Sequence, residues 1–594
     1  MRPDLKYSSS MFRRSSKTSQ PKLFSNLQSL LTGKSLKVYE DKNEWHNQFR
    51  VQVTYRIDEE PFRPLFCEDF GSPNASIRVL VGMMVLKEAE GWSDALLFEQ
   101  CRFNLLVRSA LGILNIDDSP PAESTYYLLR KRIVDWEKAG NENLIEKVFA
   151  QVTKSQVIEF NINGIKIRMD SKLLGSNIAW YSRYELIHET VSKAYDSLKA
   201  IIDRCLDQAD IKLLEGITGE SGEKVSYRSN KSEIETKLAQ LGKVIFKIIC
   251  QMKDNSSDAI STLRRVFNEQ YQVVDDTVNV RAKQEISAQS VQSPHDTDCH
   301  YRKKDDNQVK GYSINVTETC DEVIHQEVTE ENAVAEMKHT ENVKPLNLVT
   351  HVSVEVASAA DCDFLQPAIE ATQQVVRQKI ETVNADGAYH SVDNQNYCQE
   401  NSIDLIIGAI QGQPSRYDIT MDENGQVTVT DLTTNTNVEV REVETRKEGA
   451  EPKWAIKTGN GKYRYFAKKE IDTCLLRKQI AKRPQSELNR RNNVEATIFQ
   501  LGYHYPNDKS RYRGLIKHKM WANVRCLWIN FVRISNFIAG GVSKCVQKAK
   551  NQVVLPLFVL KFVKMEFTMS PAKVFLPRIP ENRVWETFLK NDFL

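Results

Sequence analysis

The marks of a secreted, membrane-spanning or nucleotide-binding protein are missing from this chain. Its eleven cysteines are odd in number, run from Cys67 to Cys545 and never stand as Cys-x-x-Cys, which excludes a zinc-finger pattern and a disulfide scaffold and points to reduced thiols in a cytoplasm. No apolar run reaches membrane-spanning length; the best, "CLWINFVRISNFIAGGV", is interrupted by Arg533 and reads as a buried helix. The opening "MRPDLKYSSSMFRRSSKTSQPK" has no apolar core of signal-peptide length and reads as a mobile basic arm. There is no glycine-rich loop to cradle phosphates, so no nucleotide cofactor is implied. Acid is also missing from one long stretch: from 501 to 564 there are about a dozen Lys or Arg and a single acid, Asp508. A net charge of only +3 hides this asymmetry, which suits a phosphate-binding surface on an amphipathic basic helix carrying Tyr512, Trp521, Trp528 and Phe531.

Helical punctuation dominates 76 to 138. "SIRVLVGMMVLKEAEG" reads as an amphipathic helix stopped by Gly91, Ser93 can cap "DALLFEQCRFNLLVRSALG", and Ser124 can cap "TYYLLRKRIVDW". Three such helices, the last carrying Arg130, Lys131 and Arg132, fit either a helix-turn-helix-like DNA reader or a plain bundle. The period then changes to two: "NGIKIRMD" alternates as a strand ending at Asp170. Residues 183 to 285 read as an inserted helical hairpin. Strands resume with "KGYSINVTET", "LNLVTHVSVEVA", "ETVNADGAY" and "IDLIIGAI", with a helix between the middle pair, which argues an α/β domain. The acidic stretch "DEVIHQEVTEENAVAEMKHTENVK" reads as a solvated loop or short helix. Hairpins around Asn and Gly turns fill 415 to 468.

Three carboxylates occupy special positions. Asp170 and Asp386 end strands, and Gly387 permits an abrupt exit or a close backbone approach. Glu495, in "RRNNVEATIFQLGYHY", stands one residue round from the apolar stripe Val494, Ile498, Leu501, sharing a face with Arg491 and Phe499. A carboxylate there is either half-solvated and paired with Arg491 or held for work. Two strand-end aspartates faced by a helical glutamate can hold two Mg²⁺ ions about 4 Å apart for phosphodiester chemistry. His295, Asp296, Asp298 and His300 offer a second metal cluster, although a polar loop leading into a strand explains them as well.

In order along the chain, "IRMDSKLLGSNIAWYSRYELI", "NADGAYHS", a β-rich insertion, "RNNVEATIFQL" and "YRGLIKHKMWANVRCLWINFVRI" resemble bacterial insertion-sequence transposases of the DDE class. The segment 61 to 138 resembles their amino-terminal domain, and "SPHDTDCHYRKKDDNQVKGYSINVTETCD" their approach to a second strand. The resemblance implies an α/β fold: an RNase H-like mixed-sheet catalytic domain with β-rich and helical insertions, preceded by an all-α domain. It divides the chain into a basic flexible arm at 1–60, a helical DNA-binding domain at 61–150, a catalytic core at 160–182 and 295–414, a helical insertion at 183–290, a β-rich insertion at 415–470, carboxy-terminal core helices at 480–550 and a tail at 551–594. It implies Asp170, Asp386 and Glu495 as catalytic metal ligands, two Mg²⁺ ions or Mn²⁺ in their place, and Arg491 as the arginine that precedes the glutamate. The family's tyrosine position is Leu488 here and its following lysine position is Gly502; Lys509, Arg511, Arg513 and Lys517 are the candidates to supply the missing charge. Those residues with Lys519, Arg130 and Arg132 make the expected DNA-binding set. The implied partners are double-stranded DNA, as terminal inverted repeats and target, and a second copy of the chain on that DNA; the implied place is a bacterial cytoplasm, at the nucleoid. A nuclease that cuts without joining, and a DNA-binding derivative without catalysis, are the alternatives. The 24 residues from 321 to 344 depart from the family pattern.

Overall fold

The computed structural model of the chain describes residues 12–15, 22, 25–67, 73–304, 306–322, 324–332, 335–343, 345–410, 412, 415–422, 424–443, 452–459 and 461–557, with backbone alone at 324–332, 335–343 and 541–557. It forms a unit Met1–Phe537 and a second, Ile538–Leu594. Residues 1–11, 16–21 and 23–24 of the expected arm, and 558–594, most of the expected tail, lie outside the described residues.

The expected flexible arm does not extend to residue 60. Helices Gly33–Glu40 and Trp45–Gln52 lie within it, because Phe49, Val53 and Ile57 recur every fourth residue and are wholly buried. Helix Ile77–Glu90 follows, then Asp94–Phe103, Leu105–Ala110, Glu123–Lys138 and Leu144–Glu159. Gly91 does stop the first of these with φ 65°, and Ser93 does cap the next, accepting from the Leu96 N–H. The expected amphipathic face of Ile77–Glu90 is absent: twelve of its fourteen residues are buried, as in a helix enclosed by core on every side. Ser124 caps nothing, since the helix starts one residue earlier at Glu123, after the extended Ala122 that follows Pro120 and Pro121.

Six strands form the central sheet: β1 (Lys166–Gly175), β2 (His300–Lys304), β3 (Asn307–Thr319), β4 (Val349–Val356), β5 (Thr382–Ala385) and β6 (Asp404–Ile407). The order is β6-β5-β1-β3, with β2 and β4 in tandem along the far edge of β3. β3 runs antiparallel to both β1 and β4, whereas β5 and β6 run parallel to β1. β1 does not end at Asp170. Its pairing with β3 continues unbroken from Ile167↔Thr319 to Gly175↔Gly311, so the aspartate lies within the strand.

One core joins the amino-terminal helices, the sheet (Ile314, Val316, Val352, Val354) and the long helix Leu515–Leu557. Phe49 meets Phe531 edge-on at 5.2 Å. This helix is not the amphipathic basic element expected: from 520 to 531 every residue is buried, and Arg525 donates to the carbonyls of Glu88, at 2.7 Å, and Gln500, at 2.6 Å.

Two insertions decorate this body. Between β1 and β2 stand five helices, Arg183–Cys205 to Asp258–Gln270, around their own core of Ile187, Val191, Leu241 and Ile245. In place of continued helix to 285, Tyr271–Val274 and Thr277–Val280 form a hairpin, turning on Asp275 and Asp276 at φ 48° and 57°. The acidic stretch after β3, expected as loop or short helix, is also a hairpin, Ile324–Asn332 with Ala335–Val343. The β-rich insertion is as expected, two three-stranded sheets over Tyr417, Ile419, Val429, Trp454 and Phe466.

Burial makes the fold acid-sensitive. His351 and His518 are enclosed and pushed down to about 4 by loss of water, and His518 donates from Nδ1 to the Gly514 carbonyl at 2.8 Å while Nε2 faces the Ser510 hydroxyl at 2.7 Å. Unfolding lets each take up a proton below about pH 6.5. The folded state is therefore expected to lose ~1.4 kcal/mol per pH unit per histidine between 6.5 and 4. Melting curves between pH 7 and 5 check this: His351→Gln should melt with a flatter pH dependence than the wild type.

Candidate active site

The parallel pairing of β1 with β5 runs Lys166↔Thr382, Ile167↔Val383, Arg168↔Asn384. Continued two residues further, the same register sets Asp170 beside Asp386, and in-register residues of parallel neighbours share a face. Asp386 stands just past the end of β5 and caps the turn Gly387–Tyr389, its Oδ1 accepting from the Gly387 N–H at 2.7 Å. The abrupt exit does need glycine: a Cβ at Gly387 would lie 1.9 Å from the Ala409 carbonyl oxygen, so the close backbone approach is by the chain itself. Asp170 is half-buried and accepts from the Ser171 N–H at 2.8 Å. Burial pushes its carboxyl above the usual range, the Ser171 N–H and Arg491 pull it back, and Asp386 adds to the rise.

Glu495 lies in the first turn of helix Asn493–Gly502, which rests on β1 and β3 through the buried Val494, Thr497 and Leu501. Its own side chain is 63% exposed. Arg491 links the set, with Nη1 2.8 Å from Asp386 Oδ1 and Nη2 3.6 Å from Glu495 Oε1. Of the two readings of Glu495, the structure shows the pairing with Arg491, which also reaches Asp386. Among the described residues no three His, Cys, Asp or Glu side chains are gathered closely enough to enclose a metal ion. The guanidinium acts as counter-ion between carboxylates that would otherwise repel one another.

Beneath this set lies a buried charge network that sequence reasoning missed. Arg168, two residues before Asp170 on the same face of β1, pairs across the strand with Glu318 of β3 at 2.5 Å. The second oxygen of Glu318 receives Arg533 at 2.8 Å and the Thr497 hydroxyl at 2.6 Å. Burial works against the charged carboxyl, but Arg533 and Arg168 more than offset it and hold Glu318 below the usual range. Two central strands, the glutamate helix and the long helix are thus joined at one fully enclosed carboxylate.

The basic set is divided. Arg130, Arg513 and Lys517 line one groove of about 960 Å³, together with Lys131, Lys138 and Arg265. Arg130 there lies over the rings of Tyr126 and Tyr512, at 5.5 and 6.0 Å. Arg132 covers Phe66 instead. Lys509 donates to the Ile178 carbonyl at 2.8 Å, Arg511 to Gly91 at 2.7 Å and Arg513 to Asn177 at 2.6 Å, while Lys519 is 3.6 Å from Glu355. Three of the four candidates for the missing charge are thus tethered to backbone. Gly502 itself abuts the ammonium of Lys172: a Cβ there would stand 2.9 Å from Nζ. Lys172 lay beyond the sequence reading of β1, which stopped at Asp170, and carried no signal of its own.

The second metal candidate dissolves into structure. Asp296 is buried, accepting from the Tyr312 hydroxyl at 2.6 Å and the Gly514 N–H at 2.9 Å, while His295 meets Glu189 and His300 meets Ser358. These residues secure the approach to β2 and the start of the long helix.

Residues 37–132 match the family model described as Transposase domain (DUF772), so the matched region begins inside the segment read as an arm. No curated protein and no solved structure matches the chain. Among the described residues no helix is long and apolar enough to cross a membrane.

Proposed function

We propose, from the match of residues 37–132 to a transposase domain, that the chain is a transposase that cuts the ends of a DNA element and joins the freed 3′ ends to target DNA, acting as a homodimer on double-stranded DNA. The observation that carries the proposal is the register that sets Asp170 beside Asp386, with Arg491 bridging Asp386 to Glu495. The sheet order supports an RNase H-like core, with three antiparallel strands followed by two parallel to the first. The donor set is oxygen only and suits Mg²⁺ or Mn²⁺. Asp170, Asp386 and Glu495 are the residues that would hold such ions, which would supply activation of a water or 3′ hydroxyl and stabilisation of the departing oxygen.

What the chain's own residues do follows from their placement. Asp170 lies within β1, Asp386 just past the end of β5 and Glu495 on a helix packed on β1 and β3, so the sheet and that helix bring the three carboxylates to one face, and bound metal would draw them together from the positions that Arg491 bridges. Arg491 holds the carboxylates together in the absence of DNA and turns its guanidinium to the scissile phosphate when DNA lies across them. The expected result is that the full chain, given Mg²⁺ and a duplex carrying the DNA that flanks its own reading frame, releases 3′-hydroxyl ends and produces joined strands. Cutting without any joined product would reduce the protein to a nuclease; no cutting in either metal would overturn the proposal.

A further inference from the structure

We propose that Lys172 is a phosphate-binding residue of this site, held ready by Asp508; the proposal rests on the transposase reading and names the group that grips the DNA strand beside the carboxylates. Lys172 lies two residues beyond Asp170 on β1, hence on the same face and on the order of 7 Å further along. Its side chain is only 18% exposed, and its ammonium is 2.6 Å from Asp508 Oδ1. It lies under the last turn of the helix that bears Glu495, where residue 502 has no side chain: a Cβ there would meet Nζ at 2.9 Å and Cε at 3.5 Å. The helix end is thus bare where the lysine passes.

Asp508 is placed by an unusual turn. Asn507 and Asp508 both have positive φ, 57° and 50°, a conformation that Asn and Asp tolerate better than other side chains. The turn is anchored at the end of β1, where Ser510 donates to the Gly175 carbonyl at 2.8 Å. The turn therefore presents a carboxylate to Lys172. That carboxylate is 44% exposed, so the pair is open to exchange with a phosphate oxygen, which offers the same ammonium an equivalent charged acceptor. The neighbouring cations Lys509, Arg511 and Arg513 are each engaged with backbone carbonyls, whereas the partner of Lys172 is an anion that DNA can replace.

The test compares Lys172→Gln, Lys172→Arg and Asp508→Asn in the full chain. Metal-free titration of a labelled random-sequence duplex across a salt series gives binding; single-turnover cleavage of the flanking-DNA duplex gives rate. Lys172→Gln should weaken binding roughly three- to tenfold and flatten the dependence of log affinity on log salt by about one unit. It should slow cleavage at least as much, with the melting temperature nearly unchanged. Lys172→Arg should keep most of both activities, and Asp508→Asn, by releasing the ammonium, should tighten binding. If Lys172→Gln binds and cuts as the wild type does, or if it and Asp508→Asn move binding in the same direction, the pair is only a structural tie and the proposal falls. If the wild type itself neither binds nor cuts DNA, it is the transposase reading that has failed.

Discussion

Asp170→Ala, Asp386→Ala and Glu495→Ala should each lower strand cleavage on the order of a thousandfold or more, since several kcal/mol of transition-state stabilisation depends on the complete donor set. DNA binding should stay close to wild type, because none of the three carboxylates attracts a polyanion. Two of these substitutions also touch structure. Asp386 caps the turn after β5, and Asp170 accepts a backbone N–H, each through Oδ1. The alanine variants therefore lose a cap worth ~1 kcal/mol as well as a ligand. Asp170→Asn and Asp386→Asn retain an acceptor but not the charge, and should be as inactive as the alanines while melting near the wild type. Any one variant that cuts appreciably in Mg²⁺ or Mn²⁺ removes its residue from the set.

Glu318→Ala should be the most destabilising single change at the site. It would leave Arg168 and Arg533 buried without a counter-charge and Thr497 without its acceptor, at about 3–5 kcal/mol for breaking an enclosed pair from one side. The sign with pH follows from the depressed carboxyl: the contribution is complete above the unfolded value and is lost as pH falls through the folded one. Thr497→Val isolates the local part of the effect. It keeps the volume, removes the hydroxyl that ties the glutamate helix to Glu318, and should cost cleavage more than stability if that tie sets the position of Glu495. Thermal melting and single-turnover rates on the same preparations separate the two; equal stability of Glu318→Ala and wild type would show that the network holds nothing.

Much of this was legible along the chain. Alternation marked β1, β3, β4 and β5; the stripe Val494, Ile498, Leu501 marked the glutamate helix; and the spacing of Arg491 and Glu495 announced their pairing. Gly91, Ser93 and the Asn and Gly turns of the β-rich insertion act through local backbone preference, which any window of sequence carries. Where the reading went astray, the deciding contact was distant. β1 runs past Asp170 because β3 continues beside it, and helix Ile77–Glu90 hides its polar residues because partners far along the chain meet them, Ile57 for Arg78 and Tyr505 and Tyr512 for Glu88. The acidic hairpin forms because its two halves answer each other in register.

The sequence by itself determined which residue types stand at which face of each element, and so the order of the three carboxylates and the arginine beside the last. Only the tertiary structure decided what each of them meets: Asp170 against Asp386 through the parallel register of β1 and β5, Glu318 between Arg168 and Arg533, Lys172 beneath Gly502 against Asp508. The physical reason is that periodicity reports the direction of a side chain relative to its own backbone, whereas its partners are set by strand register and packing between segments far apart in the chain.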